Sequence, residues 1–529
     1  MSSFFGHTRY ILLGLAMGAT PAPRAVPRPA LLCGVAQPRK RPPGAPKHSD
    51  VVMRSLRLHP ANPKDPHDTF AALRAFHVTR LEWAYIHDAA FIAKVKASGR
   101  LFGAAAAAPS YDKDIRDDAV FGRVVIRDAG GRPITAPWKR QWKRTLWGCV
   151  NNPELERGYL AYLKRCIDAG SQVIHRDEPG ANASATRWGG CFCEHCVKAF
   201  RGYLSRHTTA RQRERLGIGD VRTFDCRRHV QRAGAKGELG KLFAAFQLEA
   251  TVAFHRRTRR ALDAYAGRHV PMSCNNGVRR WSEVERCFDW AFGELSMARA
   301  TPVRLWQAVR EARKHNRLQV MTMPKKGDRR EPEAWCRRTR RTIATAYALG
   351  AHCMVPWDVY MPNNAPRYFG TPRQYADLYG FVRACARHLD GYEDAGALGA
   401  GLADPRHGKA PPIEVVGGSG KLYAFARAVP GAPDAPVVVH LVEWGDKPAA
   451  ATVRLRGKRF FAGAAPSVVL LVPPAYDARS HDAAEKAGRF AALAKVVPVR
   501  AETDGDSTWT GVAVPPLGPW GILVARPSR

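Results

Sequence analysis

Between residues 50 and 395, short β-like runs alternate with helix-patterned stretches, and this alternation restricts the fold to the α/β class with a parallel sheet. The runs are Val78–Ile86, Leu101–Ala106, Thr145–Val150, Gln172–Asp177, Val270–Asn275, Phe288–Leu295, Leu318–Met323 and His352–Trp357. Eight runs over about 300 residues match a (β/α)8 TIM barrel, which typically takes about 250. Helices fall between them. Phe243, Phe246, Ala250 and Phe254 mark one apolar face, and Val197, Phe200 and Leu204 mark another.

The texture changes near residue 395. GALGAGLADPRHGKAPP is a Gly/Pro-rich boundary, and β-rich runs follow it at Leu422–Ala428, Val437–Trp444, Ala451–Arg456, Val468–Val472, Gly511–Val514 and Gly521–Ala525. Turn residues separate most of them, the pattern of an antiparallel β-sandwich. The expected layout is a signal-like or disordered segment over 1–48, a catalytic barrel over 50–395 and a C-terminal β-sandwich over 410–529. In the first segment, Arg9 precedes the apolar run Ile11–Ala19, which resembles a short export signal to the periplasm or cell exterior. The Pro- and Arg-rich residues 21–48 read as a linker.

No apolar run approaches the ~20 residues that span a bilayer, so no membrane span is expected. The formal charge of +37 raises the question of a nucleic-acid partner. The basic residues, however, are spread along the whole chain, and no stretch interleaves them with stacking aromatics as nucleic-acid modules do. No nucleic-acid partner is expected, and a preference for anionic ligands remains open.

In a parallel barrel the carboxyl ends of all strands face one mouth. The strand ends therefore bring together Glu82, Trp83 and Tyr85; His175, Arg176, Asp177 and Glu178; Asn275 and Asn276; Asp289 and Glu294; and Trp357, Asp358, Tyr360, Asn363 and Asn364. Asp289 starts its run and reads equally as a cap. Trp138 and Trp142 lie in a long loop. Aromatic faces cover the C–H faces of sugar rings, while Asn and carboxylate groups fix hydroxyls. The expected partner is thus a carbohydrate substrate, with Glu82, Trp83, Trp138, Arg176, Asn275, Asn276, Trp357 and Asp358 as binding residues. Glycoside hydrolysis needs two carboxyl groups across the scissile bond. Glu178, Asp177 and Glu294 are the catalytic candidates.

The chain has 12 cysteines, and three of them, Cys191, Cys193 and Cys196, form C-x-C-x-x-C just after the fourth run. Three thiolates in six residues suit a structural zinc ion, with Cys149 from the end of the third run as fourth ligand. No His cluster points to a catalytic metal, and no organic cofactor is expected.

Read together, DEPG, a loop and CFCEHCVKAFRGYL resemble the β-galactosidases of glycoside hydrolase family 42, and more broadly glycosidase-like barrels that share an Asp-Glu-Pro, Cys-x-x-Cys, Phe-Arg-x-Tyr-Leu run. The segment GCVNNPELERGYLAYLKRCIDAGSQVIHRDEP is similar to them too. The resemblance covers about 60 residues closely. It implies that Glu178 is the general acid/base and that Cys149, Cys191, Cys193 and Cys196 hold zinc. Two departures matter: Asp177 stands where the family has Asn, and LQVMTMPKKG carries no acid where the family's nucleophile, a Glu on strand seven, would lie. The second carboxylate is then Glu294, or Asp177 is the nucleophile with Glu294 as acid/base, as in α-galactosidase-like barrels. The expectation is a glycoside hydrolase, retaining or inverting. The rival expectation is a non-catalytic glycan-binding protein on a degenerate barrel.

Overall fold

The computed structural model describes residues 32, 34–38, 40–56, 67–107, 118–140, 145, 147–278, 281–324, 332–359, 367–404, 406, 411–461, 466–504 and 508–527. The signal-like run Ile11–Ala19 and the residues Trp142, Tyr360, Asn363 and Asn364 lie outside them.

Eight parallel strands follow one another around a barrel in chain order: β1 (Val52–Met53), β2 (Arg80–Ala84), β3 (Leu101–Ala107), β4 (Val173–Asp177), β5 (Met272–Asn276), β6 (Trp290–Gly293), β7 (Leu318–Met321) and β8 (His352–Cys353). The Val355 N–H donates to the Val52 carbonyl and brings the last strand back to the first. Helices cover the outside, for example Pro153–Asp168 before β4, Glu238–Ala266 before β5 and Pro302–Lys314 before β7. Among the described residues, the β5–β6 connection carries only the short turn Glu285–Cys287.

The sequence pattern yields the correct strand number with one exchange. Thr145–Val150 is not a barrel strand: Gly148 makes only an isolated bridge to Val125, and Cys149 lies in the turn before the helix Pro153–Asp168. The strand that takes its place in the count is β1, two residues long and too short to show a period. The linker expected up to residue 48 is also shorter. Leu32 packs into the sandwich core. Both ring nitrogens of buried His48 lie within hydrogen-bond distance of carbonyls, Leu389 and Tyr347.

A second unit follows β8 and the helix Pro372–Ala384. The strands are β9 (Glu393–Leu398), β10 (Ile413–Gly417), β11 (Leu422–Ala428), β12 (Val437–Glu443), β13 (Ala451–Arg456), β14 (Ser467–Val472), β15 (Lys495–Val497), β16 (Ala501–Thr503), β17 (Trp509–Val514) and β18 (Gly521–Arg526). They form two antiparallel sheets, β15-β14-β18-β12-β11-β9 and β10-β13-β17-β16, which enclose a core of their own. The outer face of the larger sheet packs on the barrel, where Trp520 stacks on Tyr347 and Trp444 donates to Thr345. No helix of the described residues is long and apolar enough to cross a membrane.

Alternation along the strands builds the barrel interior. Val52, Trp83, Ala105, Val173, Trp290, Phe292, Leu318 and Val320 pack inward, and the intervening residues face the helices. The pairing register shifts between Leu81 and Ala84, and Trp83 has φ +54°, so a bulge turns both Glu82 and Trp83 inward. Glu82 is fully buried there and accepts from Arg80 Nε at 2.5 Å. It is part of the barrel filling and does not reach the mouth. Burial pushes its carboxyl up despite Arg80. Arg80→Leu is expected to cost about 3–5 kcal/mol by stranding this carboxyl, whereas pairing Arg80→Met with Glu82→Leu should recover most of that loss. Denaturant unfolding of the two variants checks both expectations.

Candidate active site

The mouth is built around Asp177, the last residue of β4. His175, two residues earlier, lies in the interior against Trp83 and Phe292, with Ser273 at 3.0 Å. Asp177 therefore faces the mouth on the same side. Four donors converge on its carboxylate. Tyr85 Oη and Trp83 Nε1 donate to Oδ2, the latter at 3.4 Å; Asn275 Nδ2 (3.0 Å) and the Glu178 backbone N–H (2.8 Å) donate to Oδ1. These donors come from β2 and the residue after it, from β5 and from the residue after β4.

Burial alone would raise the Asp177 pKa. The fields of His175 and Arg54 and the Tyr85 and Asn275 hydrogen bonds outweigh it and hold the carboxyl below its ordinary range. His175 itself is pushed down to about 3, chiefly by burial, and is neutral above that, so the hydrogen bonds and Arg54 keep Asp177 ionised near neutral pH. Arg54 follows β1 and lies over the Trp83 ring at 4.5 Å.

Glu178 is the next residue but serves a different surface. Its backbone is left-handed, φ +53°, which ends the strand abruptly. Its carboxylate accepts from Trp138 Nε1 at 3.0 Å and pairs with Lys139 Nζ at 2.5 Å, both from the loop between β3 and β4. Burial and the neighbouring Asp177 charge raise its pKa, and Lys139 opposes them. Trp138 is 54% exposed and packs edge-on to Trp147 and Trp188.

Glu294 follows β6 directly. Trp290 and Phe292 point inward, and Glu294 continues that alternation; its N–H donates to the Asn276 carbonyl at 3.0 Å. Asp177 and Glu294 are thus two strands apart on one mouth, about 10 Å between backbones at the usual interstrand spacing.

Several other expected binding residues are turned behind the sheet or engaged by neighbouring groups. Arg176 points out of the barrel, fully buried, and donates to Thr258 at 2.6 Å. Asn276 also lies behind the sheet, where its amide pairs with Gln319 across Gly293. A Cβ at Gly293 would sit 2.7 Å from Gln319 Nε2, so this pairing needs glycine. Asp358 is fully buried, ion-paired with Arg367 and accepting from the Leu56 N–H. Trp357 is buried against Phe369. Asp289 accepts from the Met272 N–H at 2.8 Å and pairs with Arg259, which leaves it structural. Of the expected set, Trp83, Trp138 and Asn275 stand around the two acids of β4. The sequence reading missed Arg54, Lys139, Trp147 and Trp188.

Behind the mouth, Cys149, Cys191, Cys193 and Cys196 are all buried, with their sulfurs within 4.8 Å of one another. Cys149 lies 3.3 Å from Cys196 and 3.5 Å from Cys193. Amide groups surround them: Asn151 donates to Cys196 at 3.2 Å and Asn182 to Cys149 at 3.4 Å, while Gln247 accepts from Asn182 and donates to the Cys191 carbonyl. The cluster lies where the turn that carries Trp147 meets the loop that carries Trp188.

No family model matches the chain, and no curated protein matches it. Solved structures are similar to it. A Paenibacillus sp. cycloisomaltooligosaccharide glucanotransferase, complexed with cycloisomaltoheptaose, aligns at 9% identity and TM-score 0.52 over 90% of this chain and 85% of its own. The debranching enzyme of Nostoc punctiforme aligns at 8% identity and TM-score 0.44 over 92% and 100%. The cyclic alpha-maltosyl-(1→6)-maltose hydrolase of Arthrobacter globiformis aligns at 12% and 0.42 over 90% and 99%.

The donor set of Asp177 makes a prediction that does not depend on activity. A depressed carboxyl pKa contributes stability above its unfolded value, and that contribution is lost as pH falls through the folded value. Tyr85→Phe and Asn275→Ala each remove a donor to the ionised form. Both should raise the Asp177 pKa and move the acid limb of the stability curve upward, as read by NMR titration and by denaturation against pH.

Proposed function

We propose that this protein is a glycoside hydrolase, and the observation that carries the proposal is Asp177. It is an ionised carboxylate at the carboxyl mouth of a (β/α)8 barrel, gripped by four donors and bordered by tryptophans. Asp177 acts as nucleophile or as the base that activates water. Glu294, two strands away, donates the proton to the leaving oxygen as the bond to the anomeric carbon lengthens through an oxocarbenium-like transition state. Lone pairs of Asp177 are already oriented by Tyr85 and Asn275, so little reorganisation is needed when charge develops. That a glucanotransferase seen with cycloisomaltoheptaose has a similar fold supports a carbohydrate substrate.

One observation favours a second acid. Glu178 has a raised pKa beside a depressed Asp177, and two carboxyls driven apart in this way commonly divide acid and base roles. This is the family 42-like assignment of Glu178. The Lys139 ion pair argues against it, because a paired cation stabilises the charged form.

Assayed on a glycan panel, Asp177→Asn should lower turnover roughly 100- to 10,000-fold. Glu294→Gln should do the same if it is the acid, with Glu178→Gln keeping most activity; the reverse result moves the acid to Glu178. Wild-type protein that binds glycans and cleaves none would identify a non-catalytic binding barrel.

The cysteine cluster is proposed to hold a structural zinc ion. Regular four-thiolate coordination at about 2.3 Å per bond sets the sulfurs about 3.8 Å apart, and the observed spread needs only small adjustment. Cys149, Cys191, Cys193 and Cys196 would be the ligands. The ion would supply cross-linking of the β4 loop and take no part in the chemistry. Purified protein should carry about one zinc per chain. Cys193→Ser should lower both metal content and Tm.

A further inference from the structure

We infer that the substrate is an anionic oligosaccharide, one that extends from the mouth into a second subsite formed by the loop after β4. The inference rests on the hydrolase reading for its first part and on the cavity for its second. Beside the cysteine cluster lies a cavity of about 850 Å3. The turn Thr186–Gly190, the hairpin around Gly130 and the helices Cys226–Ala233 and Glu238–Ala266 enclose it.

Its walls are of two kinds. Trp188, half-buried, offers an apolar face for a sugar ring, and the buried pair Phe192 and Phe243, stacked in parallel at 4.6 Å, forms part of the wall. Arg132, Arg187 and Arg228 supply positive charge against a single carboxylate, Asp128, a net of +2 (three cations less one anion). Asp128 is engaged: it accepts from the backbone of Gly130 and Arg132 and pairs with the Arg132 side chain. Among the described residues, neither Arg187 nor Arg228 is paired with a carboxylate, and both are exposed. Guanidinium groups in this state suit a carboxylate or sulfate better than a hydroxyl.

Trp188 joins the cavity to the mouth. It lines the cavity and packs edge-on to Trp138 at 5.3 Å, and Trp138 donates to Glu178 beside Asp177. An extended chain of sugars bound at Asp177 would therefore cross exposed Trp138 and half-buried Trp188 before meeting the arginines. Single-stranded nucleic acid is the competing polyanion. It carries a phosphate at every residue and needs cations along its whole track, whereas the unpaired arginines lie only at the cavity end of this path and Asp177 and Glu178 stand at the other, so a glycan whose charge lies away from the reacting sugar fits better.

The test uses full-length Asp177→Asn protein, so that binding is read without turnover. Titration with hexagalacturonate, a chondroitin sulfate hexasaccharide and neutral maltohexaose should show an anionic ligand binding at least ~10-fold more tightly than the neutral one. Adding Arg187→Ala and Arg228→Ala should abolish that advantage and leave maltohexaose binding unchanged. Equal affinity for charged and neutral glycans, indifference to the arginine substitutions, or tighter binding of oligo-dT would overturn the inference. If wild type cleaves no glycan while the charge preference persists, the hydrolase reading falls and the anionic subsite stands.

Discussion

Side chains alternate between the two faces of a strand, and in a closed barrel one face is the interior and the other lies under the helices. This constraint decides which residues of the strand ends can meet a ligand. It turns Asp177 into the mouth and Arg176 out under the helix Glu238–Ala266. It does the same to the next pair, with Asn275 reaching Asp177 and Asn276 pairing with Gln319 behind the sheet. Position along the strand is the second filter. Glu82 faces inward but one layer too low, where Arg80 neutralises it.

The sequence showed the barrel because hydrophobic periodicity and connection lengths report on fold directly. Seven of the eight barrel strands coincide with β-like runs. The exception is instructive. β1 is two residues long, so its two buried side chains, Val52 and Met53, leave no period to detect. Its loss concealed Arg54, the cation nearest in sequence to the first strand end, and with it one source of the field that keeps Asp177 ionised. The cysteine grouping was legible for a different reason. Cys191, Cys193 and Cys196 are close in sequence, and Cys149 joins them in space even though it lies in a turn and not at a strand end. A correct grouping reached through an incorrect strand shows that spacing of the ligands carried more information than topology. What could not be read was orientation: nothing in WD at residues 357 and 358 signals that both side chains turn inward to the core and to Arg367.

The cysteine cluster and the mouth are mechanically one assembly. Trp147 is two residues from Cys149, and Trp188 is three from Cys191. Their rings meet edge-to-face at 4.7 Å, and Trp138 packs on both before donating to Glu178. The Asn151, Asn182 and Gln247 amides link the turn and the loop by hydrogen bonds, and the proposed zinc ion on the four sulfurs would fix the tryptophans further relative to the acids.

The adjacency of Asp177 and Glu178 then has a physical purpose. Two carboxyls one residue apart would ordinarily compete for the same surroundings and resist ionising together. The left-handed turn at Glu178 separates them: one carboxylate enters the barrel to meet neutral donors, the other folds back onto the loop to meet Lys139 and Trp138. Non-glycine residues in this region of backbone space cost about 1–3 kcal/mol each and persist where surrounding contacts impose them. Trp83 at +54° and Asp358 at +51° do the same at β2 and just past β8. At these three strand ends the strained backbone directs side chains that an unstrained strand end would leave pointing elsewhere. The same turn leaves the N–H of Glu178 aimed at Asp177 Oδ1, so the backbone distortion that parts the two acids also supplies one of the donors that keeps the inner one charged.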